Sequence, residues 1–309
     1  MKTALVIQGG GTRAITSCSA AAALDALGLR SAFDAVFAAS SGAVNAAYFL
    51  AGQAALGVDV YLKDISTRRF LNPLRWPRVM DLDYLFTSVV RDAKRHDLRA
   101  FLVQPTPLHV LATDGATGEA VWFDSKRMPR RLYSILKATC SLPLASKPVV
   151  LNNRRLLDGM FAEPIPILRP IELGFTHVLL LHTRDLGYRT PSRPRGVVER
   201  VVDVLMRRDL SPAVYAQYRT EPERFNQLSN LIESGTVKSD AGRTVRIACA
   251  YPSGVSNMDR FERNREALYA AGYTSWKAVM DMFGHVGPLS TAEAYREIVS
   301  AAGRVERPR

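Results

Sequence analysis

Two strand-to-helix junctions near the start of the chain constrain its fold more than any other feature. Ala4 to Ile7 is a short apolar run that stops at Gln8-Gly9-Gly10-Gly11, and an Ala- and Leu-rich helical pattern then runs from Ile15 to Leu29, closing at Gly28 to Arg30. Val36 to Ala39 does the same thing again: it breaks at Ser40-Ser41-Gly42, and a helix is predicted over Ala43 to Leu50 before Ala51-Gly52. Short buried strands that alternate with helices predict an α/β protein, with a mainly parallel central sheet between two helical layers. Further strands are expected at Leu108 to Thr113, Glu119 to Phe123, Arg155 to Leu157, His177 to His182 and Val245 to Ala250, and a helix at Arg130 to Cys140.

With 309 residues, of which 47% are hydrophobic and 23% charged, the chain can bury one large core. The expected organisation is a catalytic core over 1–190, with a basic surface lobe at about 59–97, then a mainly helical C-terminal part over 191–303 packed on it, and a tail over 304–309. The N-terminal apolar run is too short for a signal peptide, and no run of about 18 apolar residues could span a bilayer. Cys18, Cys140 and Cys249 are odd in number and widely spaced, which argues against a disulfide framework or a thiolate zinc site and favours a reducing, cytoplasmic setting.

The loop Gly9-Gly10-Gly11-Thr12-Arg13-Ala14 brings backbone N–H groups towards an anion at a helix N-terminus. It also fits a dinucleotide fingerprint, but the second strand ends in Ala38-Ala39-Ser40-Ser41, with no acid there to hold a ribose. The other reading is an oxyanion hole, which needs a nucleophile nearby. Ala38-Ala39-Ser40-Ser41-Gly42 supplies one, because a small-x-Ser-x-Gly turn between strand and helix pushes a serine hydroxyl outward. The bland alternative is that Ser40 or Ser41 simply caps the helix.

A serine also needs a base. Of the five histidines, His182, at the end of a buried strand, comes nearest to that role. Asp158-Gly159-Met160 offers a carboxylate at another strand end, followed by Pro164-Ile165-Pro166. Asp114-Gly115 shows what an ordinary Asp-Gly turn looks like, set between two strands of a hairpin.

Taken in order, these motifs resemble the patatin-like phospholipases, in a bacterial branch of that family. Those proteins combine a glycine loop ending in arginine or lysine, a Gly-x-Ser-x-Gly elbow and an Asp-Gly motif. The resemblance covers roughly Ala4 to Arg184, including Ser146-Lys147-Pro148 and Leu156 to Pro166. It implies a Ser–Asp dyad of Ser40 and Asp158, with Gly9, Gly10, Gly11 and Arg13 at the oxyanion hole, Ala38 and Gly42 flanking the nucleophile, and Gly159 and Met160 following the base. Three positions depart from the commonest pattern: Ala14, Ala38 and Met160, of which Met160 would narrow the pocket. The implied activity is hydrolysis of lipid or small acyl esters, with no metal and no organic cofactor. A non-catalytic lipid-binding or scaffold protein is the alternative.

The net charge of +12 favours an anionic partner. Arg68, Arg69, Arg75 and Arg78 interleave with Phe70, Leu74 and Trp76, a composition suited to peripheral contact with an anionic membrane surface. The prolines there interrupt any amphipathic helix, so a solvated loop is the favoured reading and membrane contact the alternative. Nucleic acid is not expected, since no binding motif accompanies the charge.

Overall fold

A computed structural model of the chain describes residues 1–192, 196–285 and 287–304, apart from the side chain of Val198. Residues 193–195 of the basic loop expected over Arg189 to Arg195, and 305–309 of the expected tail, lie outside the described residues.

Among the described residues, one sheet holds β1 (Thr3–Ile7), β2 (Ala35–Ala39), β3 (Leu108–Asp114), β4 (Ala120–Asp124), β5 (Val149–Leu151), β6 (Arg154–Asp158), β7 (His177–Leu181), β8 (Thr236–Lys238) and β9 (Thr244–Ala250). The parallel centre runs β9, β7, β1, β2, β3, while β4, β5, β6 and β8 pair antiparallel at the margins. This is the predicted α/β/α arrangement. β5 and β8, at three residues each, are too short to have given a sequence signal.

Period-two alternation divides the core between the two faces of the sheet. Leu5, Ile7, Val36 and Ala38 point into one cluster, and Ala4, Val6, Ala35 and Phe37 into the other. The first face is covered by α1 (Ile15–Ala26), α2 (Ser41–Leu50), α3 (Ala54–Val60) and the helix Arg265–Met282. The alanines and serines of α1 are buried nearly all round, as expected of a central helix wedged between the sheet and another helix. Phe225, Leu228 and Ile232 of the helix Pro212–Glu233 cover the second face.

The region 59–97, expected as a surface lobe, is half core. Phe70, Leu71, Leu82, Leu85, Phe86, Val89 and Val90 are buried against the first face, while its arginines stay at the surface. Periodicity weakens here because the segment turns repeatedly, so buried positions recur at no fixed spacing. The C-terminal part is mainly helical, as expected, and the strand expected at Val245 to Ala250 is β9, which with β8 extends the sheet of the core.

The register around β3 positions the site. Residues 109–113 of β3 pair with β4 along one edge. The opposite edge is shared: β2 takes it up to Leu111, which faces Ala39, and β6 takes it from Ala112, which faces Asp158. A parallel strand and an antiparallel strand therefore meet end to end along one neighbour, and each points its last residue at the junction. The next residue after Ala39 is Ser40.

Candidate active site

At that junction Ser40 Oγ donates to Asp158 Oδ2 at 2.6 Å. The second carboxylate oxygen, Oδ1, accepts from the Met160 N–H at 3.0 Å, and Thr113 Oγ1 donates to the Asp158 carbonyl at 2.8 Å, so backbone and carboxylate are both fixed. Burial raises the Asp158 pKa from 3.8 to about 6, partly offset by the bonds from Ser40 and Met160 and by the charge of Arg260.

Ser40 occupies φ 54°, ψ −142°, a region costly for any residue with a side chain, at about 1–3 kcal/mol. Its N–H donates to Thr139 Oγ1 at 2.7 Å, and that hydroxyl in turn donates to the carbonyl of Leu111. The capping alternative fails on geometry. Ser40 stands at the N-cap position of α2 but makes no side-chain capping bond, and Ser41 Oγ instead accepts from the Gly10 N–H at 3.1 Å.

The glycines are demanded by contact. A Cβ on Gly42 would lie 2.4 Å from the Ile7 carbonyl oxygen, and one on Gly9 would lie 2.7 Å from both Ala39 O and Ser40 Cβ. A Cβ on Gly159 would meet Leu111 O at 2.5 Å and the Ala39 methyl at 3.0 Å. Ala38 and Ala14, two of the departures from the family pattern, are fully buried, and the Ala14 carbonyl accepts from Asn45 Nδ2 at 2.9 Å.

An apolar pocket of about 50 Å³ begins at Ser40 and is walled by Val44, Tyr61, Ile65, Phe70, Leu82, Leu85 and Leu142. Met160 does not narrow it, contrary to the expectation. Its side chain packs towards Phe161, Val214 and Tyr218, with Sδ 3.6 Å from Arg260 Nη1. The carboxylate at 158 and the residue two positions on leave the turn in different directions, because a short helical turn begins at Gly159.

Arg13 also points elsewhere. Its guanidinium lies beside Gly10 and lines a second cavity, of about 330 Å³, on the other side of the glycine loop. Of the three loop glycines, Gly9 touches Ser40 and Gly11 borders the Ser40 pocket, while the Gly10 N–H is engaged by Ser41. His182 is remote from this chemistry. It packs against Phe225 and Tyr251, its Nδ1 accepts from the Arg184 N–H at 3.0 Å, and burial lowers its pKa to about 4. Asp114 is the turn residue it resembled, accepting from the Ala116 and Thr117 N–H groups.

Sequence reasoning did not find Thr139, Thr113 or Arg260. All three reach the site through tertiary contacts and sit in no local motif.

The model of the patatin-like phospholipase family matches residues 5–171, more than half of the chain. The chain belongs to the patatin-like phospholipase family. The matched span runs from β1 through the elbow and β6, so it contains every part of the patatin-like site described above except Arg260. No curated protein sequence matches the chain. Among solved structures, the crystal structure of VipD from Legionella pneumophila aligns with a TM-score of 0.40 and 11% identity, over 91% of this chain and 67% of that one. Family membership supports lipid acyl hydrolase activity in general terms.

Proposed function

We propose that this protein hydrolyses acyl esters of lipids, with Ser40 as nucleophile and Asp158 as its base. The 2.6 Å bond between Ser40 Oγ and Asp158 Oδ2, at the head of an apolar pocket, carries this reading. Asp158, with a pKa of about 6, is mostly ionised at neutral pH and still close enough to it to exchange a proton in both directions.

Asp158 takes the hydroxyl proton as Ser40 Oγ bonds to the ester carbonyl carbon. The resulting oxyanion lies by the glycine loop, where backbone N–H groups of Gly9 and Gly11 are the available donors. Collapse breaks the ester C–O bond, and Asp158 returns the proton to the leaving alcohol. Asp158 then deprotonates a water, which attacks the acyl-enzyme and releases the carboxylic acid and the Ser40 hydroxyl. The apolar walls suit an acyl chain.

A p-nitrophenyl ester chain-length series on the wild type, Ser40→Ala and Asp158→Asn tests this. Activity in the wild type and its loss in both variants supports the dyad. A wild type that hydrolyses no ester and takes no fluorophosphonate label favours the alternative, a lipid-binding protein that keeps the fold without the reaction.

The segment that walls the pocket also suggests how lipid arrives. Leu71 and Met80 bridge at the base of a turn whose tip exposes Leu74 and Trp76, at 88% and 58%. Phe70 and Leu82 of the same segment wall the pocket. We infer that this tip touches an anionic lipid surface, with apolar side chains inserting beside arginines and no amphipathic helix required. Co-sedimentation with phosphatidylglycerol vesicles should fall in Leu74→Asp/Trp76→Asp, and equal binding of the double variant would rule the tip out.

A further inference from the structure

The second cavity, on the far side of the glycine loop from Ser40, gathers three arginines. Arg13 comes from the loop itself, Arg184 from just beyond β7, and Arg260 from the segment before the helix Arg265–Met282. Arg13 is buried; among the described residues its Nε has no hydrogen-bond partner, and its Nη1 donates to the Met258 carbonyl at 3.4 Å. Arg184 Nη1 donates to the Ser256 carbonyl at 2.6 Å, and its guanidinium lies 4.3 Å from the Tyr188 ring. Arg260 Nη1 has the Met160 sulfur, a weak acceptor, at 3.6 Å. Three guanidiniums thus share one cavity wall with carbonyl oxygens, a ring and a thioether as their neighbours, and Asp259 is the carboxylate that offsets the charge of both Arg13 and Arg184. Glu199, Asp203 and Glu221 stand on the helical wall; Asp203 pairs with Arg219 at 3.2 Å and Glu199 accepts from the Gly196 N–H at 2.6 Å.

Arg13 is buried and Arg184 and Arg260 are half-buried beside it, and holding like charges this close is costly unless an anion joins them. Planar forks from three directions suit the oxygens of a phosphate better than those of a carboxylate, which offers two. We propose that Arg13, Arg184 and Arg260 form a phosphate-binding site. Arg260 borders both this cavity and the apolar pocket. An acyl ester with its carbonyl at Ser40 and its chain in the apolar pocket can therefore place a headgroup phosphate past Arg260. That lipid source of the phosphate rests on the hydrolase reading above; the phosphate site itself does not.

Two arms decide the matter. The first is calorimetric titration of inorganic phosphate into the wild type, Arg260→Gln and Arg260→Lys, at constant ionic strength. Among the described residues the side chain of Arg260, unlike that of Arg184, holds no backbone carbonyl, so these variants should fold, and melting without phosphate verifies it. Saturable binding to the wild type, weakened about tenfold or more in Arg260→Gln and less in Arg260→Lys, which keeps the charge without the fork, is expected. No saturable phosphate binding to the folded wild type overturns the proposal, whether or not the protein proves to be an esterase. The second arm compares lysophosphatidylglycerol with monoacylglycerol of equal chain length. A fall of about tenfold in the ratio of their kcat/KM values in Arg260→Gln identifies a lipid headgroup as the phosphate source. An unchanged ratio, with phosphate binding still weakened, overturns the headgroup assignment and makes free phosphate the ligand.

Discussion

The two cavities flanking the glycine loop are built in opposite ways. The Ser40 pocket is narrow and apolar, and its walls belong mostly to the main core, α2 and the segment from Tyr61 to Leu85, with Leu142 added from a smaller cluster. The arginine cavity is several times larger, with charged walls supplied mostly by residues after β7. The first offers hydrocarbon-like surroundings, while the second is lined by charged side chains. Arg260 borders both cavities, so a ligand reaching from one to the other would pass from apolar to charged surroundings at that residue.

The sharpest test of this contrast removes the reacting groups. Ser40→Ala should lower kcat/KM for any ester by about 10³-fold or more, and Asp158→Asn by about 10²- to 10⁴-fold, in steady-state assays. Asp158→Asn should also be more stable at pH 7, by about 1–3 kcal/mol in urea melts. The sign follows from linkage: the folded pKa of about 6 lies above the unfolded value of 3.8, so ionisation opposes folding above that window. The stabilisation should therefore shrink as pH falls from about 6 towards 4, and an equal gain at both ends would mean that Asp158 is not held as described.

Gly9→Ala attacks the loop beside the nucleophile. Its new methyl must displace Ala39 O and Ser40 Cβ, each 2.7 Å away, at a cost of about 1–3 kcal/mol in stability, together with a loss of activity. Full activity in this variant would mean that Gly9 is not pressed against Ser40 as described. With pH, kcat/KM should fall about tenfold per unit below pH 6, as Asp158 takes up a proton, and level off above it. A midpoint that disappears in a buffer series would remove Asp158 as the base. The smallest change is expected from Val44→Phe, one helical turn beyond Ser40 in the pocket wall, which should shorten the preferred acyl chain by about two carbons, each worth about 0.8 kcal/mol.

Ser40, Gly42 and Gly9 were legible in the sequence because each sits at a punctuation point where strand hydrophobicity stops and small residues begin, whereas Asp158 sits at such a point as well but was told apart from Asp114 by the family resemblance. Glycine is required there by contacts between neighbouring strand ends, Gly9 against Ser40 and Gly42 against the Ile7 carbonyl. The orientation of β6 was not legible. Whether a strand pairs parallel or antiparallel depends on connections and edges that a five-residue pattern does not encode. The directions of Arg13 and Met160 failed for a related reason: the backbone position of a motif residue was readable, but the turn that aims its side chain was set by later parts of the chain. Arg260, contributed from beyond β9, could not have been found from any local motif.

Because β2 and β6 end on consecutive residues of β3, Leu111 and Ala112, the spacing between Ser40 and Asp158 is inherited from the hydrogen-bond ladder and not from the loops around it. Slipping β6 by one residue would turn the carboxylate to the opposite face of the sheet. Turnover would then cease even though the chain kept its helices and most of its core. Ester hydrolysis in this protein would thus report strand registration, and recovery of activity during refolding should lag behind recovery of helical circular dichroism by the time β6 takes to find its place.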